Sequence, residues 1–167
     1  QEKGTDAEVG TQFSMGNVEQ LGLLKMDFLG LRNLDVIETA VALIGDGLDI
    51  TAIPLDDRRT YEMLARGESM GVFQFESSGM REALRQVKPT EFEDLIALVA
   101  LYRPGPMAYI PTYAARKHGK EPVTFVEPRL QPITGPTYGI SIFQEQSMEI
   151  AKALAGFTPA EADDLRK

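Results

Sequence analysis

The chain has 167 residues, 43% of them hydrophobic and 25% charged, which suits a soluble globular domain with a real core. With no Cys and a single His, it excludes disulfides, thiolate metal centres and a His-rich zinc site. A formal net charge of −8 makes the chain as a whole a poor free-standing binder of nucleic acid, which is gripped by Lys and Arg neutralising phosphates.

In chain order, residues 1–16 are polar, carry Gly and show no periodicity, so they read as a loop or frayed end. Residues 20–29 are short and mostly apolar, interrupted by Lys25 and Asp27. This pattern predicts a strand with both charges on one face. Leu34, Ile37, Val41 and Ile44 recur at helical spacing and predict a helix over 31–44, closed by Gly45. After a turn-rich link over 46–56, Asp57 is an N-cap for a helix reaching Arg66, with Gly67 beyond its end.

Residues 69–76 read as a short strand or an irregular apolar stretch. A helix then follows from Ser78, with Met80, Leu84 and Val87 on one face and Arg81, Arg85 and Lys88 on the next, until Pro89 stops it. Thr90 and Glu93 form a capping-box pattern for a helix that ends before Arg103-Pro104-Gly105-Pro106, a corner stiffened by two prolines. A helix near 107–118 leads to a polar end bearing His118, read as exposed, and to a Pro-rich loop over 121–136. Gln144 to Ala155 predicts a helix with Met148, Ala151, Leu154 and Ala155 as its apolar face and Gly156 as its stop. Thr158 and Glu161 form a second capping box, with Pro159 at the first helical position.

Five features carry candidate chemistry. Lys25 and Asp27 have two readings from spacing alone: a salt bridge that satisfies both charges, or a metal-binding carboxylate beside a phosphate-binding ammonium. Arg81, Arg85 and Lys88 make a basic stripe, either a solvated face or a surface that follows a nucleic-acid backbone. Residues 81–120 hold seven Lys and Arg against four acids, a locally basic stretch in an acidic chain. The Pro-Gly-Pro corner either simply ends a helix or holds Arg103 pre-ordered for a phosphate or carboxylate. Gln144, Glu145 and Gln146 open a helix and read equally as plain surface. Arg166 and Lys167 are adjacent cations at the chain's end. No P-loop, GxGxxG or serine-hydrolase elbow is present, which argues against independent nucleotide or acyl chemistry.

Taken together, the segments Gly22–Leu34, Ile53–Asp57, Gly71–Arg81, Phe92–Pro106, Tyr138–Gln146 and Ala162–Lys167 resemble, in order and spacing, the bacterial C-family replicative DNA polymerases, the family of the polymerase III alpha subunits. The likeness extends over roughly residues 11–167. It implies a mainly α fold with a small β element: residues 1–32 as the end of a palm domain with an edge strand, and 33–167 as a helical fingers domain truncated at its C-terminal end. Asp27 matches the third of three catalytic, metal-binding aspartates, the first two belonging to an upstream Asp-x-Asp element absent from this chain. Lys25 matches a lysine near the triphosphate of the incoming nucleotide. Arg166 matches the first of two fingers arginines on that triphosphate; Lys167 departs from the second, keeping the charge and losing the bidentate fork. Arg103, Arg81, Arg85 and Lys88 match basic fingers positions, with Arg103 grouped with the nucleotide and the other three with DNA.

The resemblance further implies a DNA-directed DNA polymerase that uses two Mg²⁺ ions, primer-template DNA and deoxynucleoside triphosphates, and that meets other replisome subunits through regions outside this chain. It implies a cytoplasmic location and no membrane. A chain that begins at Gln1 and ends at Lys167 is expected to be a segment of a longer protein, inactive alone because Asp27 lacks its partners. The competing reading is a non-enzymatic helical interaction domain that uses the basic face over 81–120.

Overall fold

The computed structural model describes residues 10–166. Lys167 lies outside the described residues. The chain divides into two compact units, residues 1–52 and 53–167, taken separately below.

In the first unit, α1 (Met15–Gln20) and α2 (Arg32–Ile44) flank an extended segment. Gly45 ends α2 in the left-handed conformation at φ 75°, as its position beyond the apolar pattern requires. The expected strand over 20–29 is absent: α1 runs to Gln20, a turn follows, and residues 23–31 take no regular structure. Alternating residues do not make a strand without a neighbouring backbone to complete the ladder. The small β element is therefore not found, and the described residues hold helices and turns only.

The second unit is built from α3 (Arg58–Ala65), α4 (Ser78–Val87), α5 (Phe92–Leu101), α6 (Ile110–Lys117), the short α7 (Gln131–Thr134), α8 (Gln144–Ala155) and α9 (Pro159–Arg166). Asp57 caps α3 by accepting from the backbone N–H groups of Arg59 and Thr60, and the Tyr61 hydroxyl donates to the Leu55 carbonyl. α4 buries Met80, Ala83, Leu84 and Val87, an i, i+3, i+4, i+7 face packed against α3, α5 and α6. Leu84, Val87 and Leu98 are fully inaccessible, and each such side chain contributes about 1.5–3 kcal/mol of transfer free energy. The stretch 69–76 is irregular rather than strand, held by the buried Ser69 hydroxyl donating to the Phe75 carbonyl at 2.6 Å.

α5 corrects the expected capping box. Its N-cap, Glu91, makes no side-chain cap bond. Asp94, not Glu93, accepts the Thr90 N–H at 2.9 Å. At the far end of α5, the Tyr102 ring lies over Gly79 in the first turn of α4, where any Cβ would overlap the phenol oxygen. Gly105, at φ 95°, makes the bend between the two prolines, and a 3-10 turn over Pro106–Tyr109 leads into α6. The Pro-rich loop is partly wound, with α7 between two further 3-10 turns. α8 and α9 pack on each other. Gly156 ends α8 at φ 71°, and Thr158 with Glu161 forms the reciprocal cap of α9. The apolar face expected for α8 is only partly covered: Ala151 is buried, while Leu154 and Ala155 are exposed.

Candidate functional site

In the first unit, Lys25 Nζ lies 3.4 Å from Asp27 Oδ2, with the aspartate 82% exposed. An ion pair this accessible is worth little to stability, and among the described residues it is the one side-chain interaction of the carboxylate. Among the described residues no group of three or more His, Cys, Asp or Glu could hold a metal ion. Asp27 by itself does not fit a two-metal centre, which needs several carboxylates around ions ~3.5–4 Å apart.

In the second unit two of the expected nucleotide residues, Arg166 and Arg103, are each related to Gln144, the first by a hydrogen bond and the second along a cleft that Arg166 does not line. Arg166 is anchored by Asp163, with Nε and Nη2 donating to Oδ1 at 3.1 and 2.7 Å. Its remaining nitrogen, Nη1, donates to Gln144 Oε1 at 3.1 Å. Gln144 is the first residue of α8 and shares with Arg103 a cleft of about 400 Å³, walled by Ile96, Val99, Ala100, Ile142 and Phe143 and bearing one carboxylate, Glu145. Arg103 donates Nε to the Ala100 carbonyl at 2.8 Å, which fixes its stem and leaves the guanidinium exposed. Two guanidinium groups are thus associated with one helix start, whose unpaired N–H groups carry partial positive charge.

The basic stripe on α4 is not a simple solvated face. Arg81 Nε donates to the Gly67 carbonyl at 3.0 Å, and Arg85 Nε to the Arg66 carbonyl at 3.2 Å. Both side chains clasp the C-terminal end of α3, where carbonyls lack intrahelical partners. Arg85 also pairs with Glu82 at 3.1 Å. Lys88 ends α4 at φ 49° and is exposed.

Two polar hubs escaped sequence reasoning. Asp94 is fully buried and pairs with Lys117 at 2.8 Å, while also accepting from Thr90 and from the Tyr113 hydroxyl at 3.2 Å. Burial first, and the Asp94 carboxylate second, push the Tyr113 phenol well above its usual range, so it stays a donor. Gln146, expected as surface, is buried: its oxygen accepts from the Ile142 and Phe143 N–H groups, and its nitrogen donates to the Ile133 carbonyl and Thr137 hydroxyl. For Asp94 a signal existed, since it occupies the apolar i, i+3, i+4, i+7 row with Ala97, Leu98 and Leu101.

A family model describing the bacterial DNA polymerase III alpha subunit finger domain matches residues 33–167. Helical packing and this match define a polymerase fingers domain. The chain is 53% identical over 166 residues to a DNA polymerase III subunit alpha of Thermus aquaticus, covering 94% of this chain and 14% of that protein. It is 49% identical to the Aquifex aeolicus subunit and 46% identical to that of Staphylococcus aureus strain COL, covering 97% of this chain in both cases and 14% and 16% of those proteins. The chain belongs to the bacterial DNA polymerase III alpha subunit finger domain family. It spans about one seventh of the length of these relatives. Among the described residues no helix is long and apolar enough to cross a membrane.

Proposed function

We propose that this chain is the palm edge and fingers of a bacterial replicative DNA polymerase, with residues 1–32 completing the palm and 33–167 forming the fingers. The observation that supports the reading is the bond from Arg166 to Gln144, a residue that lines one cleft with Arg103, within a chain of this family. A triphosphate carries its charge on oxygens spaced for guanidinium forks, and two arginines at a helix start balance the charge that develops as pyrophosphate leaves. Lys25 and Lys167 are assigned to the triphosphate in the longer protein by their match to the family, and Asp27 to one metal-binding carboxylate. Magnesium ions held in the longer protein would activate the primer 3′-hydroxyl and steady the leaving group. This chain's own part is to bind and orient the nucleotide. Arg81, Arg85 and Lys88 are assigned to the DNA side, along with contacts to other replisome proteins made outside this chain.

The test is a titration of the isolated chain with a deoxynucleoside triphosphate, followed by amide shifts. Shifts at Lys25, Arg103, Gln144 and Arg166 are expected. Silence at Arg103, Gln144 and Arg166 defeats the triphosphate assignment. Primer extension by the chain alone is expected to be nil, and Mg²⁺-dependent extension would defeat the view that its catalytic set is partial.

A further inference from the structure

Arg166 is held from two helices. On its own helix, Asp163 accepts both Nε and Nη2 through the single oxygen Oδ1, at 3.1 and 2.7 Å. From α8, Gln144 accepts Nη1 at 3.1 Å. The Gln144 amide is itself oriented. Its nitrogen donates to Glu145 Oε1 at 3.2 Å, and an ionised carboxylate only accepts, so the amide oxygen is the end left for the arginine. Arg58 shows the looser arrangement: a bond from Nε to Glu62 within α3, and a side chain 90% exposed against 32% for Arg166.

A partly exposed i, i+3 pair such as Asp163 and Arg166 adds little to stability. What the bonds fix is a direction. An arginine carries one N–H on Nε and a pair on each terminal nitrogen. With Asp163 and Gln144 served, each terminal nitrogen of Arg166 keeps one N–H among the described residues. Those donors are what the side chain offers to a ligand, and their plane is set before the ligand arrives.

Electrostatics alone works against this arrangement. A carboxylate beside a cation that is to meet phosphate weakens the pull of that cation. The gain from Asp163 therefore comes from order. A loose arginine gives up its rotamers when a ligand immobilises it, at a cost of about two- to tenfold in affinity. A seated arginine has already lost them.

We infer that Asp163 is a positioning residue. It holds the Arg166 guanidinium in the orientation in which its remaining N–H groups meet a triphosphate, and it does so through the Oδ1 acceptor rather than through its charge. The inference deepens the polymerase reading, on which it rests, by adding to the nucleotide site a residue that acts through Arg166.

The test compares two substitutions. Because both bonds end on one oxygen, asparagine can keep them and alanine cannot. D163N and D163A remove the same charge and differ in the acceptor. The full chain and each variant are titrated with a deoxynucleoside triphosphate at constant ionic strength. Amide shifts give the affinity, and the Arg166 Nε–H resonance reports the seat. That resonance is expected to exchange slowly with water in the unsubstituted chain and in D163N, and fast in D163A. D163N is expected to bind the triphosphate at least as tightly as the unsubstituted chain, and D163A about two- to tenfold more weakly than D163N. Alanine favours a helix more than asparagine does, so fraying of α9 would give the opposite order. Equal affinities in D163N and D163A overturn the inference, as does an Arg166 Nε–H that exchanges equally in both. In either case, shifts at Arg103, Gln144 and Arg166 of the unsubstituted chain leave the polymerase reading standing. Silence at those three residues removes that reading and the inference with it.

Discussion

Residues 10–52 and residues 53–166 carry comparable apolar patterns and make different use of them. In the second stretch the pattern on α4 meets those of α5 and α6, and Leu84, Val87 and Leu98 lose all contact with water. In the first, α2 has its helical period and its glycine stop, yet no residue between 10 and 52 is buried. Leu24, Phe28, Leu29 and Leu43 are 86, 89, 89 and 83% exposed. Period and capping specify a local conformation; stability comes from a second apolar surface to bury against. The described first unit holds the motif nearest to the proposed chemistry, Lys25 and Asp27, and has no core of its own to hold it.

That contrast can be broken by substitution, and the largest effect is expected at Asp94. Asp94→Ala strands Lys117 in a nearly closed site and removes a partner from Thr90 and Tyr113, so a loss of about 3–5 kcal/mol is expected in urea unfolding. A loss below about 1 kcal/mol would mean that water enters and replaces the carboxylate. Leu84→Ala comes next, at about 2–5 kcal/mol by the same measurement, since it empties the centre of the α4 face.

A smaller effect is expected in acid. The Asp57 carboxyl is held below its ordinary 3.8 by the Thr60 hydroxyl, and Glu161 below its ordinary 4.5 by the Thr158 N–H. Their caps contribute stability above those ordinary values and lose it as pH falls through the lowered ones. The protection factors of the Thr60 and Glu161 amides, measured against intrinsic exchange at each pH, are therefore expected to fall below about pH 4, ahead of that of Leu98. The smallest effect is at Leu43: Leu43→Ala is expected to change stability by no more than about 0.5 kcal/mol. A Leu43→Ala loss approaching that of Leu84→Ala would abolish the distinction between the two regions.

What could be read from the sequence was local. Gly45, Asp57, Gly156 and the Thr158–Glu161 pair act within one helical turn, and each stands where its spacing placed it. The misreadings all involve distant partners. Thr90 had two carboxylates in reach, Glu93 and Asp94; Tyr113 and Lys117, far down the chain, decide between them. The strand over 20–29 was drawn from alternation alone, and a ladder needs another backbone. Arg81 and Arg85 read either as a solvated face or as a nucleic-acid surface, because nothing in their own helix shows that the end of α3 lies beside them. At the candidate site the two arginines were legible singly. The bond from Arg166 to Gln144 was not, because it depends on how α9 returns along α8.

Gly79 ties the proposed site to a position that carries no chemistry. It stands inside α4, where glycine is about 1 kcal/mol worse than alanine, and the Tyr102 ring fills the space a methyl group would need. Tyr102 is the residue before Arg103 and the C-cap of α5, so its ring is packed on α4 at the start of the corner on which the arginine is mounted. Positions 79 and 102 therefore behave as one letter spelled in two places. A larger residue at 79 requires the hydroxyl end of Tyr102 to move or a smaller residue at 102. Engineering at Arg103 should treat Gly79 as part of the same choice.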